Sequence, residues 1–232
     1  MHWQKPIEAS ELFRKDDEGE KTDGYYNAYY DAYMEERKPD QWEVDTGPSD
    51  DEVARLFRFL NQWRTRYQDN KGSQGQFRDA YLRVLKQLRL LKGYSLVEAR
   101  LDSQVADGKT LSETIQEVFE TLASAGKKHQ WTGASKVLHV LQPRMFVMWD
   151  TAIRGGYAIK DGSESSDYAS WFLRRMQCEA REAVDSFVAE TKLERRVAVP
   201  ELEKLGGGRP ITKLLDEYNY CKFRVRCPEL WE

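Results

Sequence analysis

The chain has 232 residues, with 40% hydrophobic and 12% aromatic side chains, enough for one sizeable core. Charged residues make up 32% and the formal net charge is −3, which excludes a histone-like polycation. No apolar run approaches the roughly 18 residues of a membrane helix, and the first 21 residues contain no apolar leader core, so the expectation is a soluble, cytoplasmic protein.

The charge is unevenly spread. Residues 1–52 carry sixteen acids and six bases, whereas residues 127–160 carry six bases and one acid, Asp150. The second stretch is where a polyanion would be held at one focused site. The three cysteines, Cys178, Cys221 and Cys227, lack CxxC spacing and read as free thiols. His2, His129 and His139 form no paired ligand motif, so neither a metal nor another cofactor is expected.

The apolar patterns have helical period. "YYNAYYDAY" places Tyr25, Tyr26, Tyr29, Tyr30 and Tyr33 along a helical stripe. A capping box, Ser49 and Glu52, then opens a helix with Val53, Leu56, Phe57, Leu60 and Trp63 on one face. Phe77, Tyr81, Leu85, Leu88 and Leu91 predict one helix ending at Gly93, and Ser112 is the expected cap of the next. "GASKVLHVLQP" predicts a short helix after a small-residue turn at 132–135, and "DTAIRGG" one beginning at Asp150. A long helix follows from Ser165 to Lys192, and "RPITKLLDEYNYCKF" supplies the last. Loops are expected at 39–48, 70–75, 160–166 and 206–209. No strand alternation appears, so the reading is all-α with eight to ten helices.

Two residues at the ends of a nearly uncharged run carry the candidate chemistry. Met145–Trp149 are all apolar and should be buried. Asp150 then caps a helix, where backbone N–H groups and the dipole hold its carboxylate ionised. Such a group is an ordinary cap, or it steadies a developing cation or activates water. Lys136, following Thr132, Gly133, Ala134 and Ser135, either grips phosphate beside exposed backbone N–H groups or serves as an amine nucleophile. Lys127 and Lys128 lie just upstream.

The order "TGASK…MFVMWDTAIR" resembles the helix-hairpin-helix DNA glycosylase superfamily. It is nearest to the archaeal-type 8-oxoguanine glycosylases and to bacterial glycosylases of phage defence. The resemblance implies a two-lobed helical domain around a DNA cleft, with a hairpin-containing glycosylase-like core. Within a single unit of 1–232, residues 1–50 would form acidic, tyrosine-rich helices and 51–126 a helical lobe. Residues 127–160 would hold the hairpin and catalytic segment, and 161–232 the C-terminal helices. Asp150 would carry catalysis and Lys136 would assist or act as nucleophile. Lys127, Lys128, Trp131, Gly133, Ser135 and Arg154 would contact DNA, and Tyr26, Tyr29, Tyr30 and Trp149 would wall a flipped base. The partner would be DNA, including modified phage DNA, bound by a monomer. Two other readings stay open: a non-catalytic nucleic-acid-binding module, and a helical interaction protein using the acidic N-terminus.

Overall fold

The computed structural model describes residues 1–15, 25–36, 47–63, 65, 71–105, 107–126, 129–159 and 162–225. Among them the secondary structure is helical, with one isolated bridge between Gln104 and Thr110. In chain order the helices are α1 (Gln4–Lys15), α2 (Tyr25–Glu36), α3 (Asp50–Gln62), α4 (Lys71–Arg83), α5 (Leu85–Leu91) and α6 (Leu111–Ala123). There follow α7 (Trp131–Leu141), α8 (Thr151–Gly156), α9 (Glu164–Ser166), α10 (Leu173–Thr191), α11 (Arg195–Leu205) and α12 (Ile211–Tyr220). π-helical turns at Asp167–Phe172 and Cys221–Val225 extend α9 and α12. No described helix is long and apolar enough to cross a membrane.

Several helices start where their side chains demand it. Ser49 and Glu52 form the expected reciprocal capping box of α3. The cap of α6, however, is Thr110, whose hydroxyl accepts from Glu113 N while Glu113 returns to the Thr110 backbone. Ser112 is instead buried, donating to the Ala169 carbonyl at 3.1 Å. The expected single helix of 77–91 breaks at Val84, which leaves helical geometry at φ −108°, ψ 12°. Residues 71–75 of the expected 70–75 loop are already the start of α4, and residue 70 lies outside the described residues. Likewise α7 begins at Trp131, so 132–135 form its first turns, not a turn before it. Part of the expected 39–48 loop lies outside the described residues.

One apolar core runs through the described residues from Ile7 to Leu215. A satellite of Ala9, Phe13, Tyr218 and Cys221 joins α1 to α12. α6 packs against α4, α5, α7 and the π turn at 167–172, while α12 packs against α1, α8, α10 and α11.

Between α7 and α8 the chain crosses this core without helix or strand. Met145, Phe146, Val147 and Trp149 are fully buried, as the apolar run implies. A buried backbone needs hydrogen-bond partners, and here other elements supply them. Thr212 on α12 donates to the Pro143 carbonyl, and Leu96 N to that of Arg144 at 2.9 Å. His139 Nδ1 lies 2.6 Å from the Phe146 carbonyl, which can only accept, so Nδ1 carries the proton. Tyr168 donates to the Val147 carbonyl at 2.8 Å, and burial holds its phenol well above the ordinary range. Ser135 meets both the N–H and the carbonyl of Trp149. Replacing Tyr168 by Phe should therefore leave the Val147 carbonyl unsatisfied in the core. Urea unfolding is expected to register a loss of about 1–3 kcal/mol; an unchanged midpoint would mean that the bond stabilises nothing.

Candidate active site

The connecting segment ends at a cavity of about 560 Å³ set between α7 and α8 on one side and α1 and α12 on the other. That size suits a small-molecule or nucleotide site. Asp150 and Lys136 both line it.

Asp150 is the N-cap of α8, in extended geometry at φ −117°, ψ −175°. Its Oδ1 accepts from Ile153 N at 2.8 Å. The residue is half-buried, so a carboxylate held in place by the helix start also borders the cavity.

Lys136 lies in the second turn of α7. Its Nζ donates to the Trp63 carbonyl at 3.0 Å and sits 4.9 Å from the centre of the Trp63 ring. Burial pushes the amine down to about 8 from its ordinary 10.5. The carboxylates of Asp216 and Asp150 pull the other way, and the neighbouring Lys213 adds to the depression.

The C-terminal wall holds groups that sequence reasoning missed. Lys213, only 2% exposed, donates to Asp216 Oδ2 at 2.9 Å and stands 3.4 Å from Glu217 Oε1. Its ammonium lies over three rings, Tyr30 at 5.2 Å, Trp63 at 5.3 Å and Phe13 at 5.7 Å. Burial raises the Asp216 carboxyl above its ordinary value, against the pull of Lys213. Arg209 ties the fully buried Glu217 to Asp31 on α2. Lys213, Asp216, Tyr220 and Arg224 all reach the cavity from one face of the last helix. Their i, i+3, i+7 and i+11 spacing in the sequence was the available signal.

The other sequence-predicted residues divide. Trp131 lines the cavity, stacked between His129 (4.9 Å) and Phe119 (5.6 Å). Gly133 borders it from the first turn of α7. Arg154 lines it too, but its guanidinium is bonded to Glu164 at 3.0 Å and lies 5.7 Å from the Trp149 ring.

Four of the expected residues sit elsewhere. Ser135 is fully buried and bonded to backbone, so it presents nothing to DNA. Trp149 is fully buried, packed edge-on against Phe119 and Tyr168, so it backs the cavity and offers no free face to a base. Tyr30 is held in the core, its hydroxyl 2.9 Å from His139 Nε2 and its ring stacked on Trp63, and neither it nor Tyr29 lines the cavity. Tyr29, Tyr30 and Tyr33 pack α2 against its neighbours, because aromatic area is worth more buried between helices than exposed. Lys127 and Lys128, and the side chain of Tyr26, lie outside the described residues.

The lining therefore combines four cations (Lys136, Arg154, Lys213 and Arg224) with two carboxylates (Asp150 and Asp216). Aromatic side chains line it at Trp63, Trp131 and Tyr220. That arrangement suits a flat ring carrying an anionic group. Among the described residues no cluster of three or more His, Cys, Asp or Glu is placed to hold a metal ion. Scans against protein-family models and searches of curated proteins and solved structures find no match to the chain.

The amine of Lys136 becomes neutral, and so reactive, as pH rises through its own value. Labelling with an amine-selective reagent, followed by peptide mass spectrometry, is expected to give a midpoint near about 8 at Lys136. Asp150→Asn should lower that midpoint further by removing a carboxylate that favours the ammonium. A wild-type midpoint at the ordinary 10.5 would contradict the buried environment.

Proposed function

We propose that the protein is a DNA glycosylase, a two-lobed helical enzyme with a glycosylase-like core that hydrolyses the N-glycosidic bond of a flipped, modified or damaged base. The observation that carries this reading is the shared cavity. Asp150 and Lys136, fourteen residues apart in sequence, border one nucleotide-sized space with aromatic walls and an excess of positive charge.

A stacked base is out of reach, so the nucleotide leaves the duplex and enters the cavity. The rings of Trp63, Trp131 and Tyr220 line the space around it, and Arg224 and Lys136 offer charge for the flanking phosphate. As the C1′–N bond breaks, its electron pair departs with the base and positive charge grows on the sugar. The Asp150 carboxylate, already fixed by the α8 start, stabilises that charge without reorganising. Water then adds to C1′, its proton passes to the released base, and an abasic site remains. If Lys136 attacks C1′ in its neutral form instead, the base leaves with the amine's proton, the C1′–O4′ bond opens to give an imine, and loss of a C2′ proton expels the 3′-phosphate, so the strand breaks without alkali. Substrates include the modified bases of phage DNA, which would place the enzyme in antiviral defence. It would act as a cytoplasmic monomer, without a cofactor.

Incubation with DNAs carrying varied modified bases, followed by an abasic-site probe, tests this directly. Asp150→Asn is expected to slow base release by about a hundredfold or more while DNA binding persists. A variant that releases base at the wild-type rate would remove Asp150 from catalysis. No release by the wild type, with DNA binding retained, would favour the binding-module reading. DNA affinity itself should fall with salt at a log–log slope of about −0.9 for each phosphate contacted. A salt-independent or absent association would favour the protein-interaction reading.

A further inference from the structure

The two candidate catalytic residues are not neighbours in sequence, yet the residues immediately before them are bonded to each other. Ser135 precedes Lys136 and Trp149 precedes Asp150. Trp149 N donates to Ser135 Oγ at 3.2 Å. The Ser135 hydroxyl has one proton, shared between the Trp149 carbonyl at 3.1 Å and the Thr132 carbonyl at 2.9 Å. Both residues are fully buried, so no solvent competes for these bonds. The Trp149 indole is wedged among Phe119, Tyr168 and Phe172, so its peptide has little freedom to shift once the hydroxyl holds it.

From this geometry we infer that Ser135 is a positioning residue: its hydroxyl clasps the peptide of Trp149 and thereby fixes the Asp150 carboxylate relative to the Lys136 amine. The inference rests on the glycosylase reading, and it reassigns a serine that sequence pattern alone would place on the DNA backbone. Loss of the hydroxyl leaves the Trp149 N–H and carbonyl without their cross-chain partner. The α8 start can then move against α7, and displacements near 1 Å cost about a hundredfold in rate when a reacting group must be aligned.

The test compares wild type, Ser135→Ala and Ser112→Ala on a DNA that the wild type cleaves. Ser112 supplies the matched control, because its buried hydroxyl also donates to a carbonyl, that of Ala169, away from the cavity lining. Base release is measured for kcat and KM, DNA affinity by titration, and thermal midpoints for each protein, at a temperature below all the midpoints. Ser135→Ala is expected to lower kcat about tenfold to a hundredfold, with KM and DNA affinity within about twofold of wild type. Ser112→Ala should leave all three within the same twofold. Equal loss of kcat in both variants, or an unchanged kcat in Ser135→Ala, overturns the positioning role and leaves the glycosylase reading standing. Absence of base release by the wild type on every modified DNA overturns both. Should Ser135→Ala not fold, Ser135→Cys keeps the volume with a weaker donor and carries the same test. A reduced kcat at unchanged KM supports the clasp, and an unchanged kcat overturns it.

Discussion

The arrangement rests on a backbone that enters the interior without a ladder of its own. Between α7 and α8 the chain passes through the core as neither helix nor strand, and a bare peptide there would cost about 1–3 kcal/mol for each unsatisfied group. Ser135 and His139 from α7, Tyr168 from the π turn and Thr212 from α12 meet that cost with side-chain hydrogen bonds. Each of these residues answers a different peptide, so the segment has one register against three surrounding elements. Its last residue is Asp150. The carboxylate at the cavity rim follows directly on peptides held in this way.

A second constraint runs along α12. Burying Lys213, Asp216, Glu217 and Arg209 together is tolerable only because opposite charges alternate among them, with Asp31 closing the chain on α2. Removing one member of such a network would strand another charge in the interior. Two of its members also act on Lys136, whose amine is depressed chiefly by burial. Asp216 favours its ammonium and Lys213 opposes it, so the amine's readiness depends on charges that come from the far end of the sequence.

Much of this was legible beforehand. The periodicity gave the helical class, and "MFVMWD" gave both the buried approach and the cap at Asp150, since an apolar run ending in aspartate before a helix has few other solutions. The Ser49 and Glu52 pair was equally plain. What the sequence hid was partnership across the fold. Ser112 and Thr110 can both cap, and Glu113 decides for Thr110. Ser135 beside Lys136 resembles an exposed phosphate grip until its hydroxyl is seen to face Trp149. The tyrosines of α2 have polar tips suited to a pocket, yet Tyr30 spends its hydroxyl on His139. Nothing in the sequence pattern marks Lys213 and Asp216 for the interior, since charges are rarely buried, and only tertiary packing reveals the aromatic rings that surround the lysine.

The central claim is electrostatic: Asp150 stabilises positive charge at the sugar. It is tested most directly by binding two DNAs that carry abasic analogues, one with a cationic pyrrolidine ring and one with a neutral tetrahydrofuran ring. The account predicts that the wild type binds the cationic ring more tightly by about a hundredfold or more, as a transition-state mimic should be, and that the preference collapses in Asp150→Asn. Equal affinity of the wild type for the two rings, or a preference that survives the substitution, would contradict it.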